Sequence, residues 1–171
     1  MKPIYAKCIL YSYPNIDDIA EQIDELVEKK ALSSMKDFSP ALSQCEKIVL
    51  LTCQKELMFE LKEVTRKALE MFSEDDLLYF EYKYFRKKKK EEYAMLDTCS
   101  RAYFRKQNKL LKSLCIRLEN AGLSDKYFEE NYLSIEFFRE LLIRVIEYDK
   151  ASIKNKGKKT IRKVNEERRS A

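Results

Sequence analysis

The chain has no histidine, no tryptophan, two glycines and three prolines among its 171 residues. Without histidine there is no imidazole metal site, and the commonest general base of enzymes goes with it. Two glycines cannot build a glycine-rich phosphate loop, and no nucleophile motif stands in for one. An enzyme is therefore the least expected class, and no metal or cofactor is expected. Few glycines and prolines leave few turns, and with abundant Leu, Glu and Lys this implies an all-α fold. No segment approaches the ~18 uninterrupted apolar residues of a membrane helix. The apolar run over residues 4–13 is broken by Lys7 and has no small-residue cleavage site, so it is a poor signal peptide. The five cysteines (Cys8, Cys45, Cys53, Cys99, Cys115) are odd in number and form no C-x-x-C pair. Free thiols in a reduced, cytoplasmic protein are the simplest account, three of them acting as small hydrophobes on apolar stripes or beside a turn.

What is present is apolar and charged in almost equal measure. Hydrophobic residues make up 45%, including 11 Tyr and 9 Phe, enough for one compact domain with an appended tail. The net charge of +5 is unevenly distributed. Residues 1–81 carry 10 Lys/Arg against 16 Asp/Glu, giving −6; residues 82–112 carry 11 against 3, giving +8; residues 113–171 carry 13 against 10, giving +3. Such a concentration of positive charge favours a polyanionic partner.

In chain order, residues 1–13 are aromatic and apolar and suit a short helix or a strand equally. Asn15 and Asp18 then open a helix whose Ile16, Ile19, Ala20, Ile23, Leu26 and Val27 form one apolar face. Ser39-Pro40 opens another, and nothing breaks helicity from Ala41 to Phe72. Its apolar stripe includes Leu42, Cys45, Ile48, Val49, Leu57, Leu61, Val64, Ala68, Leu69 and Phe72. A helix longer than ~25 residues suggests a coiled-coil arm or a bundle spine, with a two-helix hairpin closing a core as the plainer reading. Further on, Ala121-Gly122 ends a helix, Ser124 caps a short one, and Ser134 caps another that turns Ile135, Phe138, Leu142, Val145 and Ile146 inward. Residues 151–171 are basic and nearly devoid of apolar side chains, as in a disordered tail.

The segment from Ser73 to Asn120 organises the rest. It runs through an acidic cap, an aromatic helix (Tyr79, Phe80, Tyr84, Phe85), the Arg86–Lys90 run, a short helix near Glu91–Leu96, a turn at Asp97–Cys99 and a basic helix. Ser100 is a good N-cap for that last helix. At ~100° per residue, Phe104, Leu111, Cys115 and Leu118 fall in one apolar stripe. Arg101, Arg105, Lys109 and Lys112 lie about 60° to 140° round from Phe104. The same division fits a surface helix of any bundle. The lysine run, likewise, fits a solvated helix end stabilised by the dipole.

The residue pattern Leu77-Leu78, Lys83-Tyr84-Phe85, Glu91-Glu92, Ser100-Arg101, Phe104-Arg105 and Leu110-Leu111…Leu114 resembles region 4 of the sigma-70 family, which reads the promoter −35 element. Where that family has a turn glycine, this chain has Thr98 nearby. The resemblance covers about a quarter of the chain and implies a helix-turn-helix of the phage-type positive-control kind. By it, Ser100 opens the DNA-contacting helix, Arg101 and Tyr103 come near base edges, and Arg105, Lys106, Lys109, Lys112 and Lys87, Lys88, Lys89 and Lys90 meet phosphates. The implied partners are duplex DNA and RNA polymerase, with no membrane. The expected organisation is an acidic N-terminal helical module over 1–72 that binds a partner or forms a homodimer. The helix-turn-helix over 73–121, packing helices over 122–150 and the basic tail over 151–171 follow. The competing class is a non-enzymatic helical adaptor whose basic stretch binds an acidic partner.

Overall fold

The structure, a computed structural model, describes residues 1–33, 41–85, 96 and 100–151. The described residues are helical and contain no strand. Residues 1–13, for which sequence left two choices, form helix α1 (Pro3–Ser12), with Pro3 in the first turn where its missing N–H costs nothing. A 3-10 turn over Tyr13–Asn15 leads into α2 (Ile16–Ser33), followed by α3 (Ala41–Glu70) and α4 (Glu74–Phe80). A π turn over Glu81–Phe85 extends α4. After the undescribed stretch come α5 (Arg101–Asn120), α6 (Asp125–Asn131) and a helix α7 over residues 136–151.

The helix ends follow from a few local residues. Ser73, Ser100 and Ser124 each accept a hydrogen bond from the amide three positions on, at 3.3, 3.0 and 3.1 Å. Gly122 sits at φ +97° and closes α5 as a Schellman motif. Its N–H donates to the Glu119 carbonyl and the Leu123 N–H to that of Leu118, both at 3.0 Å, and Leu118 and Leu123 are both buried. Ser134 does not act as the cap expected of it. Its hydroxyl donates backward to the Asn131 carbonyl at 2.8 Å, because residues 132–135 form a turn before α7 starts.

Residues from 1–72, 73–121 and 122–150 share one core rather than closing separate ones. It joins Ile9 and Leu10 of α1, Met58 and Leu61 of α3, Phe80 of α4, Leu114 and Leu118 of α5, and Phe128, Tyr132 and Phe138. Aromatic pairs stitch the layers: Tyr5 stacks on Phe128 at 4.9 Å, Tyr11 meets Tyr84 edge-on at 4.8 Å, and Phe72 meets Phe80 at 5.2 Å. Arg117 covers the Phe72 ring at 3.8 Å and donates to the Ala68 carbonyl, tying α5 to the end of α3.

α3 is one unbroken helix, about 45 Å long at ~1.5 Å per residue. It lies antiparallel to α2, as the ion pairs Lys62–Asp17 and Lys55–Asp24 show, each at 2.6 Å. The hairpin is longer than the body it packs on. Among the described side chains, Met58 is the first buried one of α3 and Ile23 the last of α2. The single stripe expected on α3 therefore divides. Leu61, Ala68, Leu69 and Phe72 are buried, whereas Leu42, Cys45 and Val49 are exposed along the projecting arm. Among the described residues no helix is long and apolar enough to cross a membrane.

Candidate nucleic-acid interface

α5 carries the basic residues, and α4 with its π turn sets how α5 is rotated. α4 starts with Ser73 as cap and three acids, Glu74, Asp75 and Asp76, in its first turn, where the helix dipole favours negative charge. Asp76 takes up Lys106 at 2.6 Å, which raises the lysine pKa. One and two turns further along, Tyr79 stacks on Tyr103 at 5.3 Å and Tyr82 meets the same ring edge-on at 6.2 Å. Lys83 donates to the Gln107 side-chain carbonyl at 3.1 Å, and the Gln107 amide donates to the Tyr103 hydroxyl at 3.4 Å. Gln107 is thus a buried polar residue with partners at both ends of its amide.

This cluster corrects the expected facing of α5. The buried positions are Tyr103, Gln107, Leu110, Leu111, Leu114, Cys115 and Leu118. The centre of that arc lies about 55° away from Phe104 on a helical wheel of ~100° per residue. Phe104, expected in the core, is 41% exposed, and Tyr103, expected near base edges, is 6% exposed. The reason is what stands opposite: Tyr79 and Tyr82 offer two ring faces and Gln107 a donor to residue 103. Burial, with the neighbouring Tyr82 and Tyr79 phenols, pushes the Tyr103 pKa up to about 12. It is a neutral packing residue and presents nothing to a groove.

The opposite face of α5 is cationic. Arg101, Arg105, Lys109 and Lys112 are all exposed. They form a stripe about 16 Å long at ~1.5 Å per residue. None of the four has an acidic partner among the described residues. Elsewhere acids hold many of the basic side chains: Lys2 with Glu129, Lys7 with Asp149, Lys29 with Glu25, Arg66 with Glu63 and Glu70, and Arg144 with Glu140. Lys106 belongs to this second group through Asp76. Ser100 is engaged as the N-cap, its oxygen on the Tyr103 amide. Lys87, Lys88, Lys89 and Lys90 lie outside the described residues, as do the expected short helix apart from Leu96, the turn at 97–99 and the tail beyond residue 151.

Sequence reasoning missed Asp76, Tyr79, Tyr82, Lys83 and Gln107. One signal was available for the last: Tyr103, Gln107, Leu110 and Leu114 repeat at i, i+4, i+7 and i+11, which places a glutamine on an apolar face. The two core thiols are chemically quiet. Burial pushes Cys8 up to about 12 and raises Cys115. Among the described residues no group of three or more His, Cys, Asp or Glu is placed to hold a metal ion. Comparison with family models, curated proteins and solved structures finds no match to this chain.

Proposed function

We propose that the protein is a DNA-binding transcriptional regulator of the sigma region 4-like kind, with the outer face of α5 laid against duplex DNA. The observation that supports this most strongly is the stripe of Arg101, Arg105, Lys109 and Lys112, exposed and without acidic partners among the described residues, in a protein that pairs many of its other cations. Four such charges are a ready substitute for condensed counterions along a phosphate backbone. In this reading α4 with its π turn is the support, and the Tyr79–Tyr103–Tyr82 stack fixes the roll of α5 so that the cations face outward. Base choice rests on Arg101, near the start of the helix, and the remaining cations position the duplex. Lys106 joins them only by leaving Asp76, and Tyr103 has no place in the contact set.

Fluorescence anisotropy with labelled duplex DNA tests the proposal. If the four cations neutralise four phosphates, log K falls against log salt with a slope of about −3.6. Arg101→Ala relaxes discrimination between target and random duplex by about 1–3 kcal/mol. Lys109→Ala weakens both duplexes alike and reduces the slope by about 1. Binding at low salt that ignores ionic strength, or no binding at all, rejects the assignment.

A further inference from the structure

The basic face of α5 has an acid on one of its long edges. Lys106 lies about 60° round the helix from Lys109, on the side that packs against α4. There its ammonium meets the Asp76 carboxylate at 2.6 Å, with the lysine side chain 44% exposed and the aspartate 22%. A surface pair between two free side chains is worth little, because both must be held still to keep it. This pair is held by its surroundings. The Asp76 amide donates to the Ser73 hydroxyl oxygen at 3.3 Å, which fixes the residue in the first turn of α4, where the helix dipole favours its charge. One turn further along α4, Tyr79 stacks on Tyr103, which lies one turn back along α5 from Lys106. The ring stack thus keeps the two backbones at the spacing that the ion pair spans. Asp75, beside Asp76, acts on the same ammonium from further away.

We infer that Asp76 is a positioning residue for the proposed DNA contact: it holds Lys106 away from the phosphates and confines the duplex to the four cations on the side of α5 turned from α4. The inference rests on the nucleic-acid reading above and adds to it an acid that touches no DNA. Its basis is a competition between two anions for one ammonium. To reach a phosphate, Lys106 must break its pair, and the Asp76 carboxylate then stands uncompensated beside the incoming backbone. Two negative charges at that range repel, so the α4 edge of the basic face is closed to the duplex. Phosphate contacts carry no sequence information. Withholding one weakens binding to every sequence alike, so Asp76 acts on affinity and on where the duplex lies, and base choice stays with Arg101.

The number of phosphates engaged is what the salt dependence counts, and a merely structural role for Asp76 would not move it. Fluorescence anisotropy on the full chain with a labelled mixed-sequence duplex, over a range of salt, is therefore the test. The wild type should show the slope of about −3.6 that four contacts give. Asp76→Asn removes the charge, keeps the shape of the side chain and should free Lys106 as a fifth contact. The slope then steepens to about −4.5, and binding tightens about eightfold at ~0.1 M salt. Combining Asp76→Asn with Lys106→Ala should restore a slope of about −3.6, because the gain runs through the lysine. Lys106→Ala alone should also leave the slope at about −3.6, a second measurement that does not depend on Asp76→Asn.

An Asp76→Asn slope equal to that of the wild type overturns the inference and leaves the nucleic-acid reading standing. A gain that persists in the combined variant overturns it too, since the lost negative charge alone then explains the tighter binding. So does a slope of about −2.7 for Lys106→Ala, which would mean that Lys106 already meets a phosphate in the wild type. A wild-type chain with no salt-dependent binding overturns both the inference and the reading beneath it.

Discussion

Truncating the neighbours Tyr103 and Phe104 one at a time measures the rotation of α5 directly. Tyr103 is buried between the Tyr79 and Tyr82 rings, and its hydroxyl accepts from Gln107. Tyr103→Ala removes a core aromatic and leaves a cavity beside two rings, a loss of about 3–5 kcal/mol. It also takes one partner from a buried glutamine amide, which holds the value toward the upper end. Phe104, 41% exposed, touches Tyr103 edge-on at 5.4 Å and keeps a substantial part of its ring surface in water. Phe104→Ala should cost no more than about 1 kcal/mol. Urea unfolding followed by circular dichroism resolves the two. With a slope near ~2 kcal/mol per molar urea, Tyr103→Ala lowers the midpoint by about 1.5–2.5 M and Phe104→Ala by about 0.5 M or less. Tyr103→Phe separates packing from polarity. It keeps both ring contacts and loses only a long hydrogen bond, so it should cost about 0.5–1 kcal/mol. If Phe104→Ala proves as costly as Tyr103→Ala, α5 is turned toward Phe104 and the cationic stripe no longer lies opposite the core.

Three other outcomes follow from the same structure. Gly122→Ala should destabilise the protein by about 1–2 kcal/mol in the same urea assay, since a left-handed φ of +97° is strained for any side chain even where no atom lies within 4 Å of the added methyl. Stability should fall as the pH rises from about 10 to about 12: Tyr103 ionises near 12 when folded and near 10 when unfolded, so the unfolded chain sheds its proton first and is favoured. Burial raises Tyr84 and Tyr132 too, adding to the loss in the same direction, and unfolding midpoints measured across this range should decline throughout. Added to core RNA polymerase alone, the protein should open no promoter bubble by permanganate footprinting. Most aromatics of residues 1–72 that would capture unstacked bases are committed to internal pairs: Tyr5 with Phe128, Tyr11 with Tyr84, Tyr13 with Phe85 and Phe72 with Phe80.

The features that sequence revealed correctly are those decided within one or two turns of chain. Ser73, Ser100 and Ser124 cap because a hydroxyl three residues from an orphan amide needs no tertiary help, and Gly122 ends α5 for an equally local reason. Periodicity gave α2 its buried Ile16, Ala20 and Ile23. It failed where two faces competed on one helix. Phe104 and Tyr103 differ by one step of 100°, and only Tyr79 and Tyr82, more than 20 residues away in sequence, decide which of them is buried. It failed again on α3, because one apolar stripe was read along a helix that outruns its core, and Leu42, Cys45 and Val49 are exposed among the described residues. Charge shows the same division between local and tertiary information. The totals of −6 over residues 1–81 and +8 over 82–112 are visible in the chain, yet a total does not say which cations stay uncompensated. Asp17 and Asp24 hold Lys62 and Lys55 along the hairpin, and Glu63 and Glu70 hold Arg66 within α3. Of the acids in α4, only Asp76 reaches across to α5, and it meets Lys106 on the margin of the basic arc. Among the described residues, the acids of the negative half that hold a cation do so at home or at one edge, and none of them meets Arg101, Arg105, Lys109 or Lys112.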